Sequence, residues 1–267
     1  MRRLSPGLLV GMAVAASALA TAASAADMPV PGPAPAYYPP AYRPVIYDWT
    51  GLYGGVHLGA GLLEDQVTTT TTTALQPSGT QTKLSPFAAV AGAQAGFNYQ
   101  IQQVVVGAEG TFTWSDISGT QATVSPLPTF SETSISKPRW YATATGKFGF
   151  AANDFLFYAK GGAAWMGVNY TQATSTGTGN VSSQTITDTR SGFTAGGGIE
   201  FGMTENLSAR LEYDYLNFGT KNYTFANLNT APAPLVLPVA IRSSTSLITV
   251  GINYRFNWGG GGAVVTR

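Results

Sequence analysis

The sequence contains no cysteine and a single histidine, His57, in 267 residues. The lack of cysteine excludes disulfide bridges and thiol chemistry, and one histidine alone offers no recognised metal-ligand spacing. A hydrolytic or acyl-transfer site would have to use His57, whose neighbours Gly55 and Gly59 on the same strand face supply neither an acid nor a nucleophile. We therefore predict that His57 is a hydrogen-bonded interior residue, and that the protein is not an enzyme and carries no metal or other cofactor.

Charge and long hydrophobic runs are also scarce. Charged residues make up 10% of the chain, against about a quarter in ordinary soluble domains. Beyond the N-terminus no run of about 18 apolar residues occurs, so the sequence predicts no transmembrane helix. When Arg2 and Arg3 are left out, the chain has 12 basic and 13 acidic residues. This nearly neutral net charge gives no indication of nucleic acid binding.

The N-terminal residues 1–25 have the features of a secretory signal peptide. Arg2 and Arg3 precede a largely apolar stretch at 8–19, and Ala23-Ser24-Ala25 forms a small-residue cleavage site. Residues 26–48 are rich in proline, which excludes a helix or a central strand and favours an extended segment. We expect this segment to be a periplasmic spacer, with contact to peptidoglycan or a periplasmic partner as the alternative.

Residues 49–256 show the strongest pattern, an alternation of apolar and polar side chains with a period of two, which is typical of β-strands. Eight segments have it, namely residues 49–62, 85–99, 103–114, 139–150, 155–169, 190–202, 207–218 and 245–256. Eight is even, as single-chain bacterial barrels require. The sequence therefore predicts an all-β fold, an eight-stranded antiparallel up-and-down transmembrane β-barrel, followed by a flexible Gly-rich tail at 257–267.

The connections between these segments alternate between short and long. Three are short turns, and four are long stretches rich in Thr, Ser, Gln, Gly and Pro, at 63–84, 115–138, 170–189 and 219–244. Short turns belong to the periplasmic end of such barrels and long loops to the cell surface. We therefore expect both termini in the periplasm. The long connections are expected to be a mobile hydrophilic surface without a hydrophobic core.

Charged side chains within the segments all fall on the polar face. A charge facing lipid at mid-depth costs about 2–4 kcal/mol, so this face is assigned to the lumen. An eight-stranded barrel is narrow enough for side chains to fill it, and we expect the charges to pair into a structural network; a narrow ion or solute path is the alternative. The network is predicted to contain Glu109, Arg139, Lys147, Lys160, Glu200, Arg210, Glu212, Asp214 and Arg255.

Aromatic residues near the segment ends suit the two membrane interfaces, where amphipathic rings accumulate. The candidates are Trp49, Trp114, Trp140, Trp165 and Phe256. Such a protein is expected to contact outer-membrane lipid and lipopolysaccharide, and the barrel assembly machinery during insertion.

Several short motifs carry a resemblance to a known family. They are Ala25-Ala26-Asp27-Met28-Pro29, Trp49-Thr50-Gly51-Leu52-Tyr53-Gly54-Gly55, Gly107-Ala108-Glu109-Gly110, Trp140-Tyr141-Ala142-Thr143 with Gly146-Lys147-Phe148-Gly149-Phe150, Phe157-Tyr158-Ala159-Lys160-Gly161-Gly162-Ala163-Ala164, Arg210-Leu211-Glu212-Tyr213-Asp214-Tyr215 and Asn253-Tyr254-Arg255-Phe256. In this order, across nearly the whole mature chain, they resemble the alphaproteobacterial outer-membrane immunogenic proteins, a porin-like family of small barrel surface antigens.

The resemblance implies an eight-stranded outer-membrane barrel that contributes to envelope integrity and surface recognition, without catalysis. Some members are described as porin-like or haem-binding, so a small-solute porin or a haem receptor using tyrosine or His57 is the alternative function. Two departures stand out. Thr145 occupies a position where the family usually has arginine, and the chain continues beyond Phe256, where family members often end.

Overall fold

A computed structural model describes residues 47–72, 77–124, 130–176, 181–230 and 233–256. The predicted signal peptide at 1–25, nearly all of the Pro-rich segment at 26–48 and the tail at 257–267 lie outside the described residues, and they stay predictions. No helix in the described part of the chain is long and apolar enough to cross a membrane.

One antiparallel sheet contains all the strands in these ranges. They are β1 Gly51–Thr69, β2 Gln81–Leu84, β3 Phe87–Ile101, β4 Val104–Ser115, β5 Gly119–Val124, β6 Phe130–Ala152, β7 Phe155–Thr176, β8 Val181–Gly202, β9 Leu207–Thr230 and β10 Ala233–Phe256. The ring runs β1-β3-β4-β6-β7-β8-β9-β10 and closes where β10 pairs with β1. The predicted eight-stranded antiparallel barrel is therefore confirmed.

The two short strands β2 and β5 extend existing strand positions of this ring rather than adding new ones. β2 pairs with β1 in the same register as β3 does, since Leu62 lies opposite Phe87 and Asp65 opposite Leu84. In the same way β5 pairs with β6 just beyond the β4 pairing. β2 and β5 therefore occupy the ring positions of β3 and β4 beyond the ends of those strands.

The alternation of side chains separates an outer apolar face from an inner polar face. On β10, Ile248, Val250 and Ile252 are exposed on the outside, whereas Thr249 and Asn253 are buried inside. Because the barrel is narrow, inward positions next to a large side chain are often glycine. At Gly96, for example, a Cβ would lie only 2.5 Å from the hydroxyl oxygen of Tyr53.

The strands extend far beyond the predicted segments at the long-loop end, and the polarity of their two faces inverts there. On β10 the outer face changes to Ser246, Ser244 and Arg242, while the inner face changes to Leu247 and Ile241. We call this region the extension; it comprises β2, β5 and the adjoining ends of β1 and β6 to β10.

The extension contains a hydrophobic core, so the prediction that the four long connections lack one is wrong. Buried side chains from both sides fill it, including Leu63, Val67, Leu84, Ile117, Met166, Val168, Tyr170, Phe225, Leu237, Val239 and Ile241. The physical reason is that the outer face above the apolar belt meets water instead of lipid, so its Thr and Ser residues face outwards while the apolar residues turn inwards. Thr- and Ser-rich segments of this kind still form strands.

Candidate functional site in the lumen

Six charged side chains meet at mid-height in the barrel, three acids and three bases. We call them the lumen charge cluster, defined as Glu109, Lys147, Lys160, Arg210, Glu212 and Asp214. Each of these side chains except Asp214 is at most 1% exposed, and that of Asp214 is 10% exposed. Because the numbers of acids and bases match, the cluster is formally neutral.

Lys160 on β7 is the central cation of this cluster. Its Nζ lies 2.7 Å from Oε1 of Glu212, 3.0 Å from Oδ2 of Asp214 and 3.4 Å from Oε1 of Glu109. Lys147 on β6 contributes a further contact of 3.2 Å to Oε2 of Glu109. Every acid of the cluster therefore has a base within ion-pair distance, which offsets the cost of removing these charges from water.

Arg210 on β9 connects opposite walls of the barrel. Its Nη1 lies 2.8 Å from Oε2 of Glu109 on β4, and its Nη2 lies 3.2 Å from Oε1 of Glu212. In the eight-membered ring β4 and β9 are four places apart, which is the largest separation possible. The contact therefore crosses the full width of the lumen.

Two tyrosines donate hydrogen bonds to two of the acids. The Tyr53 hydroxyl donates to Oε2 of Glu109 at 2.7 Å, and the Tyr158 hydroxyl donates to Oε2 of Glu212 at 2.6 Å. The ammonium of Lys147 also lies 4.3 Å from the ring centroid of Tyr158, a cation–π distance. The sequence analysis missed both tyrosines as cluster members, although each lies on the same strand face as the charged or polar inward residues.

His57 lies beside the cluster with both ring nitrogens engaged. Its Nδ1 is 2.7 Å from Oε1 of Gln94, and its Nε2 is 3.0 Å from Oγ1 of Thr113. The histidine is 5% exposed. An adjacent cavity of about 10 Å³, lined also by Thr143 and Thr249, has room for roughly one water molecule. Among the described residues no group of His, Asp and Glu could hold a metal ion.

The short-turn end of the barrel is closed by residues that precede β1. Tyr47 and Trp49 are 6% and 3% exposed and pack with Val105, Leu156 and the Tyr158 ring. We call Tyr47 and Trp49 the stopper. The prediction that Trp49 is an interface aromatic is wrong, because the chain folds into the mouth of the barrel before β1 begins. The backbone N–H of Trp49 donates to Oε1 of Gln100 at 2.8 Å and holds the residue there.

Two of the predicted lumen charges lie near the stopper and apart from the cluster. Glu200 is buried and accepts hydrogen bonds from Ser208 at 2.5 Å and Asn253 at 2.8 Å. Arg255 is half-buried at the rim, with its guanidinium 4.4 Å from the ring centroid of Tyr47. The structure thus places both residues on the inner side, and it does not join them to the cluster.

Arg139 is the ninth predicted lumen charge, and the structure places it on the outside. The pairing of β6 with β7 shifts by one residue between Pro138 and Trp140, so two residues of β6 oppose one of β7. A bulge of this kind changes the direction of the side chains that follow. Arg139 is exposed as a result, and its assignment to the lumen network is wrong.

The remaining predicted interface aromatics face outwards. Trp114 is 59% exposed, Trp165 39% and Phe256 53%, and Trp140 is half-exposed above Phe112. Trp114, Trp140 and Trp165 lie towards the extension and Phe256 at the short-turn end. On β7, the outward residues Phe155 and Trp165 enclose about 33 Å of strand at the usual rise per residue, which at a tilt of about 40° corresponds to the roughly 25 Å height of a barrel's lipid-facing band.

A second buried polar group, which the sequence analysis missed, lies within the extension. Arg190 donates to the Tyr170 hydroxyl at 3.1 Å and to the Ser243 hydroxyl at 2.9 Å. Asp65, which is 2% exposed, accepts a short hydrogen bond from the Ser136 hydroxyl. Arg190 begins a predicted strand, whereas Asp65, Ser136, Tyr170 and Ser243 lie in segments that were expected to be loops, so the sequence pattern did not point to the burial of these partners.

The chain is similar to outer-membrane proteins over most of its length. The family model of the OmpA-like transmembrane domain matches residues 48–260. The 25 kDa outer-membrane immunogenic protein of Brucella abortus is 29% identical over 224 residues, covering 82% of this chain and 86% of the relative. The 31 kDa outer-membrane immunogenic protein of Brucella melitensis is 28% identical, covering 81% and 88%. The resemblance predicted from the sequence motifs is therefore confirmed.

Solved structures of other barrels are less similar to this chain. The outer membrane protease OmpT from Escherichia coli gives a TM-score of 0.47 at 9% identity, covering 77% of this chain and 97% of that one. Neisserial surface protein A gives 0.33 at 16% identity, covering 78% and 98%. Since the family model extends from the residues before β1 to beyond β10, this chain belongs to the family of OmpA-like transmembrane domains and is an outer-membrane β-barrel.

Proposed function

We propose that the protein is a structural, surface-exposed outer-membrane barrel with a closed lumen, which contributes to envelope integrity and performs no catalysis. The observation that carries the proposal is the lumen charge cluster, in which Arg210 and Glu109 join opposite walls at 2.8 Å. A conducting lumen needs a continuous aqueous path lined by sites that ions can leave. Side chains that pair across the full width leave no such path.

Two further layers of packing support a closed lumen. The stopper fills the short-turn mouth below the cluster, and the hydrophobic core of the extension fills the interior above it. The barrel is therefore filled in three successive layers, namely an aromatic layer, a charged layer and an apolar layer. The interior of an eight-stranded barrel is just wide enough for side chains to fill it. Filling of this kind makes the barrel rigid, which suits a structural role.

The orientation in the membrane is part of the proposal. The short turns and both termini face the periplasm, and the extension projects from the cell surface, because long strand connections belong on that side. The outward aromatic residues contact outer-membrane lipid and lipopolysaccharide. The barrel assembly machinery inserts the chain, and residues 26–48 act as a periplasmic spacer that can reach peptidoglycan.

The alternative functions lack a supporting observation among the described residues. Haem ligation by His57 needs a free ring nitrogen, and both nitrogens of His57 are hydrogen-bonded and buried. As a general base for the Thr113 hydroxyl, His57 would need an acid on Nδ1 to orient it; Nδ1 contacts the neutral amide of Gln94, and the residue is only 5% exposed. A porin needs a lumen wider than the paired cluster allows.

A deletion strain, assayed side by side for detergent sensitivity and small-solute uptake, tests the proposal. We expect greater sensitivity to detergent, normal uptake, and full recovery when the wild-type chain is supplied. Complementation with Arg139→Gln should succeed equally, since Arg139 lies on the outside. Loss of uptake with unchanged detergent resistance would favour the porin alternative and contradict the structural role.

A further inference from the structure

Exposed charges are divided unevenly between the two ends of the barrel. Among the described side chains that are at least partly exposed, five bases outnumber three acids on the extension side, whereas three acids outnumber one base at the short-turn end. The five bases are Lys83, Lys137, Arg139, Lys221 and Arg242. The extension side therefore carries an excess of positive charge, close to the level of the outward tryptophans.

Acids of the protein neutralise only two of these five bases. Nζ of Lys137 lies 3.6 Å from Oδ1 of Asp116, and Nζ of Lys221 lies 2.7 Å from Oδ2 of Asp188. Within the described ranges, no acid lies within ion-pair distance of the other three bases. Their charges are therefore available to an anion from outside the chain.

Two of the unpaired bases lie in register with the same residue of β1. Lys83 on β2 and Arg242 on β10 both lie opposite Gln66 in the strand pairing. Both bases are exposed on the outer face, and Gln66 is half-exposed between them. Neighbouring strands lie about 4.8 Å apart, so the backbone positions of the two bases are about 10 Å apart and their long side chains can converge. We call Lys83, Gln66 and Arg242 the basic row.

The basic row lies just above the lipid-facing belt. Leu62 and Phe87, which lie opposite each other, are outward apolar residues at the upper edge of β1 and β3. Gln66 comes four residues after Leu62, which is about 13 Å along the strand and about 10 Å in height at a tilt of about 40°. This height corresponds to the headgroup layer rather than the acyl chains. In an outer leaflet made of lipopolysaccharide, that layer consists of sugars that carry phosphate.

We propose that the basic row binds the phosphate groups of outer-leaflet lipopolysaccharide. A guanidinium and an ammonium group on either side of one phosphate form strong, charge-assisted hydrogen bonds with its oxygens. Gln66 Nε2 donates to Oε1 of Gln81 at 2.7 Å, and its second N–H can donate to the same phosphate. The proposal rests on the proposed orientation, in which the extension faces the cell surface, and it adds a polar site to the lipid contact of the aromatic residues.

Glu64 limits where on this face a phosphate can bind. It is exposed on the same face of β1, two residues nearer the membrane than Gln66. Its negative charge repels a phosphate from the lower level and reduces the attraction of the basic row. Removal of this charge should therefore strengthen binding, an effect opposite in sign to the loss of either base.

The test uses the full refolded protein in detergent micelles and fluorescently labelled rough-type lipopolysaccharide, with binding measured by fluorescence anisotropy. We expect saturable binding that weakens as salt is added, because salt screens exposed charges. Lipopolysaccharide from which hydrofluoric acid has removed the phosphates should bind much more weakly. Inorganic phosphate alone should compete only poorly, because it lacks the lipid that holds the phosphate at the level of the row.

Substitutions separate the basic row from general attraction to a positive surface. Lys83→Gln and Arg242→Gln should each weaken binding about fivefold, the usual effect of one base near an anionic lipid surface. The double variant should lose about twentyfold if the two effects add, and Glu64→Gln should bind more tightly than the wild type. Arg139→Gln is the matched control. It removes the same charge on β6, three ring positions from β1, and should change binding by no more than about twofold because distant charges are screened.

Correct folding of each variant is checked by its shifted electrophoretic migration before and after heating. Wild-type affinity of the double variant, equal binding of dephosphorylated lipopolysaccharide, or an equal loss with Arg139→Gln would overturn the proposal. None of these outcomes bears on lumen closure or on the detergent sensitivity of a deletion strain.

The orientation on which the proposal rests is checked separately on intact cells. The chain contains no cysteine, so Thr220→Cys, at the exposed position opposite Arg242, provides a single thiol beside the basic row. A membrane-impermeant maleimide should label it. Labelling only after the outer membrane is permeabilised would place the extension in the periplasm and overturn the assignment to the outer leaflet, even if lipopolysaccharide bound in micelles.

Discussion

Arg210 and Glu109 lie on opposite sides of the barrel wall, yet their side chains meet at 2.8 Å. Their strands, β9 and β4, are four places apart in a ring of eight. A contact of this kind is possible only because eight strands enclose a narrow interior. The contact ties β4 to β9 across the interior, so the stability of the barrel depends on the side chains that fill its lumen.

Replacing Glu109 by glutamine should strongly destabilise the barrel. Arg210, Lys147 and Lys160 would lose a shared anion and remain buried, and breaking one partner of a buried ion pair typically costs about 3–5 kcal/mol. The measurement is denaturant-induced unfolding in detergent, followed by tryptophan fluorescence.

The control for this prediction is Arg139→Gln, an equal change of charge at an exposed position, which should alter the unfolding midpoint little. The double variant Glu109→Gln with Lys147→Gln restores charge balance and should recover part of the loss. If Glu109→Gln and Arg139→Gln unfold alike, the cluster does not stabilise the barrel.

Trp49 should behave as an interior residue and Trp165 as a lipid-facing one. In variants that keep only one of the five tryptophans, brominated acyl chains should quench Trp165 strongly and Trp49 little, because quenching requires contact with the lipid. Trp49→Ala should also cost about 3–5 kcal/mol, the usual loss for a buried tryptophan. Strong quenching of Trp49 would place it in the membrane interface and remove the stopper.

Asp65 should give stability a specific pH dependence. Burial raises the pKa of Asp65 above its ordinary value, although hydrogen bonds from Ser136 and Ser243 and the charge of Arg190 oppose this shift. The folded state therefore favours the neutral carboxyl. As the pH rises above the unfolded value of about 3.9, the unfolded state ionises first and stability is lost.

Asp65→Asn should consequently match the wild type at pH 3 and exceed it in unfolding midpoint at pH 7. Asp116→Asn is the matched control, since the Asp116 side chain is 91% exposed and forms only a 3.6 Å pair with Lys137; it should change neither value appreciably. A lower midpoint for Asp65→Asn at pH 7 would show that the ionised carboxylate stabilises the extension.

Haemin should not bind through His57. The ring is buried between Gln94 and Thr113, so coordination to iron would require both hydrogen bonds to break. In a titration of micromolar protein, we expect no shifted Soret band that depends on His57. A shifted band in the wild type that His57→Ala abolishes would support the haem-receptor alternative.

The membrane-spanning part of the fold was predictable because one physical constraint acts on it throughout. Lipid outside and polar groups inside impose strict alternation, which is visible in 245–256 and in the other segments. The same constraint placed Lys147, Lys160 and Arg210 on one face of their strands, although it could not indicate which acid each base contacts.

The wrong predictions concern places where the outer face no longer meets lipid, or where a bulge shifts the alternation of side chains by one residue. In the extension the outside is water, so Thr187 faces outwards and Ile241 inwards, and the pattern resembled a polar loop. A single bulge after Pro138 was enough to turn Arg139 outwards; proline in a strand is a signal for a bulge, but Pro138 was assigned to the connection before the strand. Trp49 lies two residues before β1. An aromatic residue at that position can lie either in the membrane interface or in the mouth of the barrel, as the stopper does.

Electrical conductance across a planar lipid bilayer tests lumen closure most directly. Refolded wild-type protein should give no stable channel steps above the baseline leak, because the lumen charge cluster, the stopper and the core of the extension fill the interior. Long-lived steps of uniform size that scale with salt concentration would contradict the closed lumen and require a continuous aqueous path past Arg210 and Glu109.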